Sequence, residues 1–160
     1  MKKVLLAALA SLTLASACKK DDTTTPAVTT MQVSGTLAGA NEVPAVTTVP
    51  TATGSFTGTY TPSTQTLNYT LTFSNLSGNA TAAHLHYGDA KHSGNVWLPI
   101  TIPAATSGSV SGTAILTTTA ATSTSKAASQ PDSLTLGHVY ANIHTLANGG
   151  GEIRANVVVK

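Results

Sequence analysis

The sequence predicts an all-β domain, an antiparallel sandwich or barrel of about eight short strands. Three observations point to this fold class. Apolar and polar residues alternate with period two along several short stretches. Turn residues recur between these stretches at intervals of roughly ten residues, without an intervening amphipathic helix. Abundant threonine, together with 13 glycines, favours strands and turns over helices.

The clearest strand is predicted at residues 67–73, where Leu, Tyr, Leu and Phe alternate with Asn and Thr. Residues 56–60 alternate in the same way, and a Pro-Ser pair then turns the chain, so these two stretches form a predicted hairpin. Residues 110–116 give another alternating strand. Five further strands are predicted at residues 33–37, 82–87, 96–100, 137–145 and 152–159.

Turns are predicted where Ser, Gly and Asn cluster, at residues 77–79, 93–95, 107–108 and 148–151. Residues 117–132 consist largely of Thr, Ala and Ser, and we expect a long loop there or one helical turn near Ala127. Because aromatic residues are only 4% of the chain, the core is expected to consist of Val, Leu, Ile and Ala. Trp97, the only tryptophan, is interpreted as a core or rim residue, with a ligand platform as the alternative.

Residues 1–17 are typical of a signal peptide. Lys2 and Lys3 precede an apolar run of about 11 residues, too short for a bilayer span of roughly 20. Small residues then lead to Cys18, the only cysteine, and this pattern resembles a bacterial lipobox, whose cysteine is lipidated. The alternative is an ordinary signal peptide cut near Cys18, with a free thiol. Residues 18–30 form a predicted flexible, Thr-rich tether, and residues 31–160 form the folded domain.

The predicted location is the cell envelope. Acyl chains on Cys18 would anchor the protein in a membrane, so we expect an outer-membrane lipoprotein. The charged residues 19–22 resemble signals that send some lipoproteins to the outer face of the outer membrane. The alternative interpretation of these residues is a solvated linker.

The charge pattern excludes several function classes. From residue 31 onward the chain has four basic and four acidic residues, so the domain is neutral. A neutral domain without a basic face is a poor match for a phosphate backbone, which excludes nucleic acid as a partner. The single cysteine excludes a disulfide framework. We recognise no Gly-rich phosphate loop and no Ser/His/Asp triad in the sequence, and therefore assign no catalytic residue.

Three histidines are candidate metal ligands. His84 and His86 are two residues apart, so on a strand they share one face. The same parity places His144 on one face with Tyr140 and Asn142. If these two strands are neighbours, His84, His86 and His144 converge and form a copper or zinc site. The alternative is a structural network in which the histidines bond to each other and to backbone carbonyls.

Two charged residues near the end of the chain form a candidate ion pair. Glu152 and Arg154 are also two residues apart, and Arg154 is expected to pair with a carboxylate, with Glu42 as a further candidate partner. We interpret this pair as a salt bridge that locks the fold. The alternative is that Arg154 captures a ligand.

Several short segments together resemble the chordin-type (CHRD) domain. They are residues 37–44 (LAGANEVP), 67–69 (LNY), 82–88 (AAHLHYG), 139–145 (VYANIHT) and 150–154 (GGEIR), and they occur in the family's order. The resemblance spans residues 33–160 and implies an all-β fold in a protein that, in bacteria, is commonly exported or lipidated. It implies no enzymatic activity. The chain departs from the family at residues 89–92, which replace a Gly/Pro-rich loop, and at Ala141, where Val is usual.

The sequence therefore favours a lipid-anchored envelope module that binds a protein or envelope ligand, or has a structural role, without enzymatic activity. Its general architecture is expected to be immunoglobulin-like or superoxide-dismutase-like. The alternative function is His-based binding of copper or zinc. Because the His-x-His on a strand is similar to part of the copper site of superoxide dismutases, this alternative extends to copper redox chemistry.

Overall fold

A computed structural model describes residues 27–48, 51–118 and 129–160, and these residues form an almost purely β structure. The predicted all-β fold class is confirmed. The strands are β1 (Met31–Ala38), β2 (Thr53–Thr61), β3 (Thr66–Ser74), β4 (Ala80–Tyr87), β5 (Val96–Ile100), β6 (Gly108–Ile115), β7 (Val139–Thr145), β8 (Ile153–Asn156) and β9 (Val158–Val159). Among the described residues, helical structure is limited to α1 (Gln130–Thr135) and two 3-10 turns at Gly39–Asn41 and Pro62–Thr64.

The predicted hairpin is confirmed as β2 and β3, which pair antiparallel along their whole length from Thr53↔Ser74 to Thr61↔Thr66. Apolar and polar residues alternate along these strands because every second side chain faces the core. Leu67, Leu71 and Phe73 of β3 are all buried. Gln65 adopts a left-handed backbone conformation (φ 53°) at the turn that joins the two strands.

All strand pairs are antiparallel, and the order in the sheet is β5-β4-β7-β8-β1-β2-β3-β6, with β9 also paired to β1. The two ends of this sheet approach each other, which makes the structure a nearly closed barrel. Gln130 links them, because its Nε2 donates to the Trp97 carbonyl of β5 at 3.2 Å. Its Oε1 accepts from the amide of Thr117, just after β6, at 2.8 Å.

The core lies inside this curved sheet and is built mainly from aliphatic residues, as the composition predicts. Full burial of one Leu or Phe side chain contributes about 1.5–3 kcal/mol relative to exposure. Trp97 is 5% exposed and belongs to the core cluster, which agrees with its interpretation as a core or rim residue. Among the described residues, the largest aliphatic and aromatic side chains with less than 2% exposure are Phe56, Leu37, Leu67, Leu71, Leu85, Leu134, Ile143 and Ile153.

Two predicted elements differ in detail. The strand expected over residues 152–159 is interrupted at Val157, which divides it into β8 and β9. The Val157 side chain is buried, and its amide donates to the Val139 carbonyl. β8 pairs with β7, and β9 pairs with β1. The helical turn expected near Ala127 begins later, at Gln130, because Ser129 caps it by accepting from the Asp132 amide. Ala127 itself is outside the described residues.

The predicted signal peptide and Cys18 also lie outside the described residues, as does most of the tether. Within the described part of the chain, no helix has the length and apolar character needed to cross a membrane.

Candidate metal centre

The pairing of β4 with β7 brings the three candidate histidines together. In this register Ala82 is opposite His144, His84 is opposite Asn142, and His86 is opposite Tyr140. One ligand nitrogen from each of His84, His86 and His144 lies within 4.8 Å of the other two. The two strands are therefore neighbours, as the convergence of these side chains requires.

Backbone carbonyls hold two of the imidazole rings. Nδ1 of His86 is 3.0 Å from the carbonyl oxygen of Gly94, and Nδ1 of His144 is 3.0 Å from that of Gly149. A carbonyl oxygen only accepts, so each Nδ1 carries the proton and donates. In both rings the lone pair is consequently on Nε2, which is the atom left free to bind a metal.

The third ring faces one of these two. Nδ1 of His84 lies 3.1 Å from Nε2 of His144, and without a metal Nδ1–H of His84 donates this hydrogen bond. Two nitrogens that bind one zinc or copper ion at 2.0–2.1 Å are about 2.9–3.4 Å apart for ordinary bond angles. The observed distance thus fits either a hydrogen bond or shared ligation.

His86 distinguishes the two interpretations. Its Nε2 is buried and makes no hydrogen bond of good geometry among the described residues, although the Asn142 side chain is near enough to raise the pKa of His86. A buried polar atom without a partner costs about 1–3 kcal/mol. A structural network therefore accounts for His84 and His144 but leaves His86 Nε2 with only the contact to Asn142, whereas a metal ligated by all three rings would satisfy it.

The electrostatics of the cluster favour neutral imidazoles, the form that binds metals. Burial lowers the pKa of His84, and the neighbouring His144 and His86 lower it further. Burial also lowers the pKa of His86, and this effect outweighs the hydrogen bond to the Gly94 carbonyl, which raises it. His84 and His86 therefore favour the neutral form, because the site is partly desolvated and because the charge of a neighbouring histidine opposes theirs.

The predicted ion pair of Arg154 is wrong. No carboxylate oxygen of the described residues lies within 4.0 Å of its guanidinium, so it pairs with neither Glu42 nor Glu152. Arg154 donates instead to the carbonyls of Asp89 and His92 and to the hydroxyl of Ser93. Attraction between opposite charges in the sequence was a poor guide, since a distant loop accepts the hydrogen bonds of both terminal nitrogens, while the buried Nε has no hydrogen-bond partner among the described residues.

Glu152 is fully buried and is held by hydrogen bonds rather than by a cation. Its carboxylate accepts from the amide and hydroxyl of Ser77, from the hydroxyl of Thr145 and from the side-chain amide of Asn148. Burial alone would raise the pKa of Glu152, but these hydrogen bonds outweigh it and the pKa is lowered. Glu152 therefore ties together the turn after β3, the end of β7 and the loop that follows it.

Glu42 is 7% exposed, and its Oε1 is buried with no hydrogen-bond partner among the described residues. Burial raises the pKa of Glu42 to about 7, although the charge of Arg154 acts in the opposite direction. Gly151 (φ +129°) lies directly against this carboxyl group, which leaves no space for a side chain at that position.

The sequence reasoning missed several residues that support the site. Tyr140 stacks on His86 with a ring-centroid distance of 4.8 Å and an interplanar angle of 4°. The carbonyls of Gly94 and Gly149 were recognised only as parts of turns. Shared parity with His144 was the available signal for Tyr140, whereas no pattern in the sequence identifies which carbonyl meets which ring.

A family model of the CHRD domain matches residues 33–157. The chain belongs to the CHRD domain family. All five segments on which the resemblance rests lie within the matched region. A search of curated proteins and a search of solved structures each found no significant match. Membership of the CHRD family indicates a binding or structural module.

Proposed function

We propose that this CHRD domain is a lipid-anchored envelope module, without enzymatic activity, that binds copper or zinc through His84, His86 and His144. The observation that carries the metal is the convergence of three imidazoles, each with a ring nitrogen within 4.8 Å of the other two, and supporting it is a buried nitrogen, His86 Nε2, without a well-formed hydrogen bond among the described residues. Three nitrogen ligands suit copper or zinc better than the oxygen-preferring calcium and magnesium.

The surroundings support this proposal. Metal-binding histidines commonly donate their second ring N–H to a carbonyl or carboxylate, which orients the ring and fixes its tautomer. Gly94 and Gly149 supply such carbonyls to His86 and His144. His84 and His144 are half-buried, which leaves room for solvent or another small ligand to complete the coordination.

Calorimetric titration with Cu²⁺ and Zn²⁺ tests the metal. The protein is purified without a histidine tag from cells that export it. We expect one ion per chain with micromolar or tighter affinity, lost in His86→Ala and retained in the control His138→Ala, which removes an exposed histidine just before β7. Equal affinity in both variants would reject the site, as would no binding to the unaltered protein.

Palmitate labelling tests the anchor separately. The proposal predicts that the exported protein incorporates label, that globomycin blocks its maturation, and that Cys18→Ala abolishes labelling. Acyl chains are expected to hold the protein at the membrane because each buried methylene contributes about 0.8 kcal/mol. Labelling of Cys18→Ala at the level of the unaltered protein would contradict the anchor and leave the metal site unaffected.

A further inference from the structure

Arg154 is a buried cation without a carboxylate partner. It is 1% exposed, and the described residues place no carboxylate oxygen within 4.0 Å of it. Burying an unpaired charge is expensive unless hydrogen bonds and nearby dipoles compensate it. The charge of Arg154 acts on Glu42 from beyond salt-bridge distance, and the groups in direct contact with its guanidinium belong to one loop and one aromatic ring.

The loop consists of residues 88–95, which connect β4 to β5. Nη2 of Arg154 donates to the carbonyls of Asp89 and His92, and Nη1 donates to the Ser93 hydroxyl at 2.9 Å. The next residue in this loop, Gly94, supplies the carbonyl that accepts from Nδ1 of His86. The guanidinium thus holds the segment that orients the His86 ring.

The aromatic ring is Tyr140 on β7. Cζ of Arg154 lies 3.4 Å from the centre of this ring, and the ring also stacks on His86. Because β7 lies between β4 and β8 in the sheet, His86, Tyr140 and Arg154 form one stack across three strands. A cation packed against an aromatic ring is attracted to the electron-rich face of that ring, most strongly where water is excluded.

We propose that Arg154 is a positioning residue of the three-histidine site. It acts on His86 in two ways: it holds the 88–95 loop, whose Gly94 carbonyl keeps the proton on Nδ1, and it packs against the tyrosine that stacks on the imidazole. Nε2 of His86 is thereby kept unprotonated and directed into the cluster. The inference rests on the proposed function for what His86 binds, but the effect of Arg154 on the ring exists without a metal.

The guanidinium is required because it forms a planar fork. Two nitrogens reach three acceptors in the same loop while the flat face packs on Tyr140, and a lysine ammonium provides neither geometry. Arg154→Lys retains the positive charge and removes this fork. We expect it to shift His86 toward the Nε2–H tautomer and to weaken metal binding about 10–100-fold, the usual cost of losing a group that orients a ligand.

The first experiment measures the His86 tautomer in the metal-free, full-length exported protein by long-range ¹H–¹⁵N correlation of the imidazoles. The unaltered protein should show the Nδ1–H form of His86, and Arg154→Lys a clear increase in the Nε2–H form. Glu152→Gln is the matched control, because it perturbs a buried charged residue two positions away that contacts neither the 88–95 loop nor His86. This control should leave the His86 tautomer unchanged.

The second experiment repeats the metal titration on the unaltered protein and on Arg154→Lys, with His138→Ala as the control. If Arg154→Lys does not fold, Ser93→Ala removes one contact to the loop and should produce a smaller tautomer shift and a few-fold loss of affinity. An unchanged His86 tautomer would overturn the inference, as would an altered tautomer with full metal affinity. If the unaltered protein binds no metal, the proposed function fails, and the tautomer shift alone decides whether Arg154 positions His86.

Discussion

Two regions of the same sheet differ in the kind of side chain that they bury. β2, β3 and β6 bury apolar side chains such as Phe56 and Leu71 and keep their serine and threonine hydroxyl groups on the outer face. β4, β7 and β8 carry buried polar residues, including His86, Asn142 and Arg154. Among the described residues, no buried polar residue lies on β2, β3 or β6.

The difference shows where specific chemistry is located in this domain. The outer face of β2, β3 and β6 is joined by hydroxyl and amide contacts, such as Ser55 with Thr72 at 2.7 Å and Thr70 with Ser111 at 2.8 Å. These groups are accessible to water, so each contact adds little to stability. The polar groups of β4, β7 and β8 are removed from water, so each requires a particular partner and the arrangement becomes specific.

The largest effect is expected from the apolar region. Leu71→Ala removes a fully buried side chain of β3 and should lower the free energy of unfolding by about 2–5 kcal/mol, through lost burial and the cavity that remains. Urea denaturation measures this change. Metal affinity should stay within about two-fold, because distant sites without shared partners behave independently. A parallel loss of metal binding would break the proposed separation of the two regions.

Glu42→Gln should stabilise the protein at alkaline pH. The pKa of Glu42 is about 7 in the folded protein and 4.5 in the reference state. Between these pH values unfolding releases the Glu42 proton, so the free energy of unfolding of the unaltered protein decreases as pH rises from 4.5 to 7. At pH 8 the variant should be more stable by up to about 3 kcal/mol, and this advantage should disappear near pH 4.5. Urea denaturation across this pH range gives the comparison, and a pH-independent difference would contradict the raised pKa.

Glu152→Gln should have the opposite sign. The pKa of Glu152 is lowered below 4.5, so its carboxylate stabilises the fold above that pH, and this contribution is lost as pH falls through the folded-state pKa. We expect a loss of about 2 kcal/mol at pH 7, typical of hydrogen bonds to a charged group. Thermal unfolding at pH 7 and pH 3 should show the difference between the variant and the unaltered protein narrowing in acid.

The smallest effect is expected on the outer face of β3. Thr70→Val removes the contact between Thr70 and Ser111 and should change the free energy of unfolding by less than about 0.5 kcal/mol. The β-branched shape and strand preference are retained. Thermal unfolding provides the measurement. A loss above 1.5 kcal/mol would mean that these hydroxyl groups contribute like buried ones and would remove the contrast between the two regions.

The strands were predictable because their signal is local. Alternation over residues 67–73 identifies both a strand and the side that faces the core, since successive side chains point to opposite faces. The division at Val157 was not predictable, because an apolar residue there fits one continuous strand equally well. It becomes visible only in the strand pairing, because β8 lies between β7 and β1 whereas β9 pairs with β1.

The histidine site was predictable only on the assumption that its two strands are neighbours in the sheet. Parity places His84 with His86 and aligns His144 with Tyr140, but their meeting requires β4 and β7 to be neighbours. The partner of Arg154 was predicted wrongly, because opposite charge was the only available criterion in the sequence. In the structure, carbonyl oxygens about sixty residues away in the chain, rather than a carboxylate, accept hydrogen bonds from its guanidinium.

The sequence by itself determined the class of fold, the strand faces, the neutral charge of the domain and the family to which it belongs. Each of these depends on the type and spacing of residues over a short stretch, or on the order of such stretches. Only the tertiary structure decided the order of strands, the tautomers of His86 and His144, and the burial of Arg154 against Tyr140. Those features arise from contacts between distant parts of the chain, where geometry selects one partner among many acceptable ones.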